Sequence, residues 1–262
     1  MAHVMAIVNQ KGGVGKTTTA VNLGASLAMA GQRTLIVDCD SQANATRSLG
    51  IRETPGGTLY DVLVAEDPSA RLAEVIVPTA TAGLDVVPAS PNLSGAEVEL
   101  VGVAGREARL RGALAGLGTD HAFVLLDCPP SLGLLSVNAL VAADSVVVPV
   151  QCEYLALEGL GQLMRTLGLV QARLNPRLRV LGLVMTMYDA RTRLAGEVVS
   201  EVERHFPNQM FATIIPRTVR LSEAPSYGET ILQYAPDSPG AIAYRSLAGE
   251  VARRATNGSA AR

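Results

Sequence analysis

One stretch decides the fold of this chain: Lys11-Gly12-Gly13-Val14-Gly15-Lys16-Thr17-Thr18. It follows an apolar run over residues 4–8 and leads into a helical pattern over residues 18–31. Strand, glycine-rich loop and helix in this order are the context in which backbone N–H groups and a helix N-terminus cradle phosphate groups. In such a loop Lys16 reaches the β- and γ-phosphates, and the Thr17 hydroxyl is a ligand of Mg²⁺. The stretch therefore predicts a nucleotide-binding α/β domain.

The two lysines of this stretch stand out against the rest of the chain. Of its 22 basic residues, 20 are arginines, so Lys11 and Lys16 are its only lysines. A compact ammonium group fits a crowded phosphate pocket better than a planar guanidinium does. The common form of the loop has glycine at the position of Gln10, so this loop is a deviant form with a second lysine at its start. This usage predicts that both lysines serve the phosphate site.

Two apolar runs end in aspartates that are suited to hold a metal ion and water. Asp38 and Asp40 follow the run over residues 34–37, and Asp127 ends the run that begins at residue 123. Because ligands bind outside the carboxyl ends of parallel strands, these carboxylates are predicted to lie beside the glycine loop. Asp127 and Asp38 are then candidate ligands of Mg²⁺, together with the loop threonine. Solvated turn acids are the alternative interpretation of Asp38 and Asp40.

Strand and helix patterns alternate along the chain, and this alternation sets the fold class. It predicts a single doubly wound, mostly parallel β-sheet flanked by helices, of the P-loop NTPase type. The strand patterns cover residues 4–8, 34–37, 84–87, 123–127, 145–150, 180–185 and 213–215. The longest helical patterns cover residues 96–117, 153–174 and 241–254. We expect one domain over residues 1–254 and a disordered polar tail over residues 255–262.

Charge is unevenly distributed, although the formal net charge is only −2. Residues 165–262 carry 13 arginines and 8 acidic residues, a net charge of +5, whereas residues 1–164 carry 9 basic and 16 acidic residues, a net charge of −7. Such asymmetry hints at an anionic partner for the C-terminal part. The three cysteines lack the paired spacing of zinc sites, and no apolar run reaches 18 residues. We therefore expect a soluble, cytoplasmic protein.

Three further motifs carry a resemblance to a known family. They are Asp38-Cys39-Asp40-Ser41-Gln42-Ala43-Asn44-Ala45-Thr46, Asp127-Cys128-Pro129-Pro130 and Pro216-Arg217-Thr218-Val219-Arg220-Leu221-Ser222-Glu223-Ala224-Pro225. With the deviant glycine loop, they make residues 4–254 resemble the ParA/Soj-type chromosome-partitioning ATPases of the ParA/MinD superfamily. Ser41 departs from the proline that this family typically has, while the carboxylates and Gln42 remain.

The resemblance implies a switch that uses ATP and Mg²⁺. ATP would close two protomers into a sandwich homodimer, in which Lys11 reaches the partner's nucleotide while Lys16 holds its own. Asp40 would orient or deprotonate the attacking water, and Pro216 would lie against the adenine. The usual activator in this family is a ParB-type centromere-binding protein, and hydrolysis without it is expected to be slow.

The resemblance also implies that DNA is the anionic partner. In this family, loops of the forms D-A-R and P-R-x-V-R are associated with binding to double-stranded DNA without sequence preference. This association assigns DNA contacts to Arg191 and Arg220, whereas Arg217 could serve either the nucleotide or the DNA surface. A nucleoid-associated protein of this kind would drive chromosome or plasmid segregation.

A MinD-like, membrane-associated division-site regulator is the alternative. Such proteins end in a basic amphipathic helix with large apolar residues, whereas residues 255–262 contain neither lysine nor a large hydrophobic residue. An iron–sulfur carrier of the same superfamily would need paired cysteines, and Cys128 and Cys152 lack that spacing. A tyrosine-autophosphorylating kinase would need a C-terminal tyrosine cluster, which this sequence does not contain. The motifs therefore favour the partitioning ATPase.

Overall fold

Eight strands form a single sheet in the described part of the chain. The computed structural model describes residues 2–118, 120–153 and 156–259. The strands are β1 (His3–Ile7), β2 (Thr34–Asp38), β3 (Val77–Pro78), β4 (Leu84–Val87), β5 (Phe123–Asp127), β6 (Ser145–Gln151), β7 (Arg179–Tyr188) and β8 (Met210–Pro216). Their order across the sheet is β3-β4-β2-β5-β1-β6-β7-β8, and only β3 runs antiparallel to its neighbour. The predicted doubly wound, mostly parallel sheet is confirmed.

Helices cover both faces of this sheet. Within the described ranges they are α1 (Lys16–Met29), α2 (Asn44–Ser48), α3 (Leu59–Val64), α4 (Pro68–Leu72), α5 (Leu93–Glu99), α6 (Arg109–Ala115), α7 (Leu134–Ala142), α8 (Ala156–Arg173), α9 (Arg193–His205), α10 (Val219–Glu223), α11 (Ile231–Tyr234) and α12 (Pro239–Ser259). None of the helices searched in these ranges is both long enough and apolar enough to cross a membrane.

The core consists of two hydrophobic clusters, one on each face of the sheet. Along β1, Met5 and Ile7 belong to one cluster, whereas Ala6 and Val8 belong to the other. Successive side chains of a strand point to opposite faces, so the two clusters lie on opposite sides. The first cluster is completed by α1, α11 and α12, and the second by α3 to α9. Burial on both faces explains why the central strands are almost continuously apolar.

Parallel pairing brings the loops that carry the sequence motifs to one edge of the sheet. Ile7 at the end of β1 and Asp38 at the end of β2 both pair with Asp127 at the end of β5. Farther along the sheet, Tyr188 at the end of β7 pairs with Pro216 at the end of β8. The glycine loop, the aspartate loops and both arginine-bearing loops therefore begin at the carboxyl ends of parallel strands, where ligands bind in such sheets.

The prediction of one helix over residues 96–117 is wrong, because α5 and α6 are separate. Between them the chain turns through Gly105, whose φ of 72° is left-handed and does not continue a helix. Both helices bury apolar residues, such as Ala96 and Leu110, in the same cluster. Their apolar positions therefore looked like one continuous helical pattern in the sequence.

The last helix, α12, continues past its predicted end at residue 254. It reaches Ser259, because Ala255 is buried in the same cluster as Val251 and core packing extends the helix. The predicted boundary between the domain and a disordered tail thus falls inside a helix. Residues 260–262 of that predicted tail lie outside the described residues.

Candidate functional site

The glycine loop joins β1 to α1 and has the backbone of an anion site. Gly13 and Gly15 have φ angles of 73° and 88°, a left-handed conformation that glycine adopts without strain. A Cβ atom added at Gly12 or Gly13 would meet no atom within 4 Å, so the space in front of the loop is open. No side chain caps the N-terminus of α1, and its first turn contains no acidic residue. The first N–H groups of α1 are therefore left for a bound anion.

Lys16 lies under this loop and is largely buried. Lys16 is only 7% exposed, and its Nζ donates a hydrogen bond to the Lys11 carbonyl oxygen at 3.0 Å. Burial lowers the pKa of Lys16, whereas the nearby Asp127 and Asp40 carboxylates raise it again. A buried ammonium with one backbone acceptor has donors left for a phosphate, since it carries three.

Asp127 is fully buried, and Thr17 is the nearest hydroxyl to its carboxylate. Neither Oδ1 nor Oδ2 makes a hydrogen bond of normal geometry with the described residues. Burial raises the pKa of Asp127 well above its usual range, and the charge of Asp38 raises it further. Thr17 and Lys16 oppose this rise. Buried polar groups are nearly always paired, so this carboxylate is suited to a ligand that brings positive charge or a bound water.

Asp38 differs from Asp127, although both end neighbouring strands. Its Oδ2 accepts hydrogen bonds from the backbone N–H and the hydroxyl of Thr46, at 2.8 and 2.7 Å, and its Oδ1 accepts from the Asp40 N–H at 3.2 Å. Burial raises the pKa of Asp38 to about 6, against the effect of these donors. The Thr46 hydroxyl also accepts from the Ala89 N–H at 2.9 Å. Asp38 therefore holds together the loop that carries Asp40.

Asp40 begins that loop and remains close to the surface of the site. It is 8% exposed, and its Oδ1 accepts the Gln42 N–H at 2.9 Å. The Asp40 carbonyl accepts the Ala43 N–H at 2.8 Å, and Ala43 has a left-handed φ of 52°. These contacts fold the loop tightly around the carboxylate. The arrangement fits a carboxylate that positions a water molecule beside the glycine loop.

The carboxylates fit a magnesium ion that comes with a nucleotide. In the described part of the chain, no group of three or more His, Cys, Asp or Glu side chains could hold a metal ion by itself. Mg²⁺ in nucleotide sites is typically held by one or two carboxylates together with phosphate oxygens and waters. The Asp127 oxygens accept no hydrogen bond of normal geometry from the described residues and so meet that requirement, and Thr17 is beside them. Asp38 differs in this respect, because its two oxygens already accept three hydrogen bonds from the protein.

A cavity of about 250 Å³ opens beside the glycine loop and is bordered by Pro216. Gly15 and Thr18 line one side, and Thr186, Pro216 and Leu221 line another. Ligand sites are concave and combine apolar side chains with a small number of placed polar groups, and this cavity contains both kinds of residue.

The Lys11 side chain makes an ion pair with Glu153. Its Nζ lies 3.1 Å from Glu153 Oε2, and both side chains are about half exposed. The Lys11 N–H donates to Asn9 Oδ1 at 3.0 Å, which fixes the backbone at the start of the loop. Exposed ion pairs of this kind contribute little free energy. The side chain is thus free to exchange Glu153 for another anion.

The arginine-bearing loops lie together after β7 and β8. The Arg217 N–H donates to the Tyr188 carbonyl at 2.8 Å, which joins the two loops. Arg191 is 87% exposed and pairs with both oxygens of Asp189, at 2.9 and 2.7 Å, which lowers the pKa of Asp189 to about 2. Arg220 is 60% exposed and lies 3.3 Å from Glu223.

The ring of Tyr234 adds to this surface, because the Arg220 guanidinium lies 5.8 Å from its centre. The structure therefore brings Arg191, Arg217 and Arg220 to the same edge of the sheet as the glycine loop, although all three are exposed and two are paired with acids.

The sequence patterns did not predict that three further residues lie in this region. Glu153 pairs with Lys11 across 142 positions, and Thr186 donates a hydrogen bond to the glycine loop at Val14. Arg193, which is 93% exposed, lies beside Arg191 and pairs with Glu197. Only Arg193 had a sequence signal, namely its place in the arginine-bearing loop. The other two contacts depend on the strand order, which no local pattern reveals.

Comparison with known proteins gives consistent matches over nearly the whole chain. Residues 2–180 match a family described as an AAA domain. The chain is 54% identical over 250 residues to the chromosome-partitioning ATPase Soj of Thermus thermophilus, covering 95% of each chain. It is 53% identical over 253 residues to the sporulation initiation inhibitor protein Soj of Bacillus subtilis, covering 96% of this chain and 99% of that one.

Solved structures agree with this match. A structure titled cobyrinic acid a,c-diamide synthase from Mycobacterium smegmatis, with a bound ATP analogue and magnesium, is 42% identical with a TM-score of 0.81, covering 95% of this chain and 93% of that one. The cell division ATPase MinD of Pyrococcus furiosus is 25% identical with a TM-score of 0.79, covering 97% and 99%. The fold thus recurs in these relatives.

Proposed function

The chain belongs to the ParA/Soj family of partitioning ATPases, and on this premise we propose that it is a switch that dimerises, binds DNA and moves a cargo. In this proposal the ATP-bound homodimer binds double-stranded DNA without sequence preference and drives chromosome or plasmid segregation. Hydrolysis, stimulated by a ParB-type partner, then releases the DNA. The protein would act in the cytoplasm, in association with the nucleoid.

The observation that carries the nucleotide part is the buried carboxylate of Asp127, which accepts no hydrogen bond of normal geometry from the described residues, beside a glycine loop with open space in front of it. The N–H groups of residues 12–18 and the Lys16 ammonium would hold the phosphates, and Pro216 would border the adenine. Asp127 and Thr17 would hold Mg²⁺, with Asp38 supporting the loop beside them. When bound, Mg²⁺ would neutralise negative charge on the phosphates.

Asp40 is the carboxylate proposed to orient or deprotonate the attacking water. Its loop is braced by Asp38 and Gln42, so the carboxylate is held in a defined direction. A single carboxylate with no additional arginine supplies limited stabilisation of the transition state. Slow hydrolysis without a partner protein follows from this arrangement, and it suits a switch that must remain in the ATP form until the partner arrives.

Dimerisation is proposed to depend on Lys11. In the single chain this lysine pairs with Glu153, near the surface and close to the glycine loop. In a face-to-face dimer the ammonium would leave Glu153 for the more highly charged phosphates of the partner's nucleotide. Because the Glu153 pair is exposed, its loss is inexpensive in free energy. ATP bound across the interface would then favour the dimer over two separate chains.

DNA binding is proposed for the surface formed by Arg191, Arg217 and Arg220. Each arginine that neutralises a DNA phosphate releases a counterion, so a few contacts give an affinity that falls steeply with salt. A dimer doubles the surface. Backbone contacts of this type carry no sequence information, which suits a protein that binds DNA generally.

The test is retention on double-stranded DNA with ATP, with ADP and without nucleotide, over a salt series. We expect ATP-dependent binding that weakens with salt, and ATP-dependent dimers in analytical ultracentrifugation. Arg220→Ala should weaken DNA binding and reduce the slope of log K against log salt by about 1.8 if each protomer loses one phosphate contact. ATP-dependent dimerisation should be unchanged.

Arg204→Ala is the matched control. Arg204 is 69% exposed and pairs with Glu201 three residues away, as Arg220 pairs with Glu223, but it lies near the end of α9, which leads to the opposite edge of the sheet. Equal losses in both variants, or DNA retention that does not depend on nucleotide, would overturn the DNA-binding proposal. ATP-dependent sedimentation with anionic liposomes instead of DNA would indicate a membrane-associated regulator.

A further inference from the structure

Thr186 lies where β7 meets the glycine loop. It is 2% exposed, and its hydroxyl donates to the Val14 carbonyl oxygen at 2.9 Å. Its methyl group is 4.0 Å from the position that a Cβ would take at Gly15. Its own carbonyl accepts the Cys152 N–H at 3.1 Å, one residue before Glu153. One buried side chain therefore joins β7 to the middle of the glycine loop.

The arginine-bearing loops begin within three residues of this contact. Met187, the next residue, has a left-handed φ of 53°, an uncommon conformation for a residue with a side chain. The following carbonyl, that of Tyr188, accepts the Arg217 N–H at 2.8 Å. Asp189 then holds Arg191 through two hydrogen bonds. Both arginine-bearing loops are thus attached to residues 187–189, which directly follow Thr186 and its hydrogen bond to the glycine loop.

We propose that Thr186 is a positioning residue through which the conformation of the glycine loop reaches the two arginine-bearing loops. The carbonyl of Val14 and the N–H of Gly15 belong to one planar peptide unit, so the Thr186 hydroxyl fixes the direction of an N–H that faces the phosphate site. If phosphate binding turns this peptide, Thr186 must follow or leave a buried carbonyl and hydroxyl unpaired, which is unfavourable. Movement of Thr186 changes the start of the Met187 to Asp189 segment.

The effect of Thr186 on DNA binding rests on the proposed function. The coupling between the glycine loop and the arginine-bearing loops does not. The primary test therefore measures amide hydrogen exchange in residues 187–193, with and without ATP and Mg²⁺, in the absence of DNA. Wild type is compared with Thr186→Val, which removes the hydroxyl at similar shape, and with Thr186→Ser, which keeps it. Thr34→Val is the matched control, because Thr34 is also a buried strand threonine that donates to a backbone carbonyl, at the start of β2.

We expect ATP to change exchange in residues 187–193 at least fivefold in wild type, in Thr186→Ser and in Thr34→Val. In Thr186→Val the change, measured at an ATP concentration that saturates the variant, should fall below about twofold. The ratio of DNA affinities with ATP and with ADP should fall in the same variant. Thr186→Ala removes the hydroxyl as well, and it replaces the valine variant if that one does not fold.

Three results would overturn the inference: no ATP-dependent change in wild type, an undiminished change in a folded variant without the hydroxyl, or complete loss of ATP binding in such a variant. The last result would show that Thr186 acts by holding the nucleotide and not by positioning the arginine-bearing loops. Wild type that shows the exchange change but binds no DNA would refute the DNA-binding proposal and leave the link between the loops standing.

Discussion

Replacing Thr46 by valine should destabilise the nucleotide-free protein and do so most strongly at neutral pH. The Thr46 hydroxyl is buried and makes two hydrogen bonds: it donates to the Asp38 carboxylate at 2.7 Å and accepts the Ala89 N–H at 2.9 Å. Loss of a hydrogen bond to a charged group costs about 1.5–3 kcal/mol, and a buried N–H left unpaired costs about 1–3 kcal/mol. We expect the free energy of unfolding to fall by about 4 kcal/mol at pH 7.5.

The pH dependence follows from Asp38. Its pKa is raised by burial from 3.8 to about 6, so the folded chain binds a proton more readily than the unfolded chain, and stability falls as pH rises from about 4 to about 6. The Thr46 hydroxyl favours the charged carboxylate, so its loss raises the pKa of Asp38 further. At pH 5 the carboxyl is largely protonated in both proteins, and the cost that remains, about 2 kcal/mol, is the unpaired Ala89 N–H.

Urea unfolding followed by far-UV circular dichroism at pH 5 and pH 7.5, with a chelator present, measures these differences; the chain contains no tryptophan for fluorescence. Thr46→Ser keeps the hydroxyl and removes one methyl group, so it should cost about 1 kcal/mol at both pH values. A valine variant that loses no more than the serine variant, or that loses more at pH 5 than at pH 7.5, would refute the assignment of Thr46 as the support of Asp38.

Three substitutions test the nucleotide site. Lys16→Ala should weaken ATP binding by about 10- to 150-fold in calorimetry, because a charge-assisted contact with phosphate is lost; unchanged affinity would show that the loop does not hold phosphates. Asp40→Ala should slow ATP hydrolysis at least about 100-fold while ATP-dependent dimers persist, and a normal rate would remove Asp40 from the role of water carboxylate. Lys11→Ala should leave ATP binding to the single chain within about threefold of wild type but abolish ATP-dependent dimers in ultracentrifugation. Dimerisation at wild-type strength would contradict the role of Lys11 across the interface.

Short-range features of the sequence predicted the site better than long-range ones. The glycine loop and Asp127 could be located because strand, loop and helix lie next to one another in the chain. Asp38 and Asp127 looked alike as strand-end acids, yet Asp38 accepts hydrogen bonds from Thr46, whereas neither Asp127 oxygen accepts one of normal geometry from the described residues. The difference arises from the path of the chain after β2, which places Thr46 back against the strand end. A pattern of residue types does not contain that path.

The errors in the fold have the same origin. The break at Gly105 was hidden because two helices bury residues in one cluster, and the extension of α12 goes with the burial of Ala255 in the other cluster. The contacts of Thr186 and Glu153 with the glycine loop require β6 and β7 to lie on the same side of β1. Strand order decides such contacts, and the sequence pattern indicated only that strands exist.

The pairing of Arg191 with Asp189 and of Arg220 with Glu223 bears on how long the protein would stay on DNA. Each guanidinium that contacts a phosphate must first leave a carboxylate that remains a few ångströms away and is ready to take it back. Binding is then an exchange of one anion for another, with a small gain per contact and a low barrier to return. A surface built in this way favours short residence and rapid transfer between neighbouring DNA segments over firm attachment to one. The proposed function, in which the DNA-bound protein moves a cargo, would benefit from many short contacts with DNA instead of one long one.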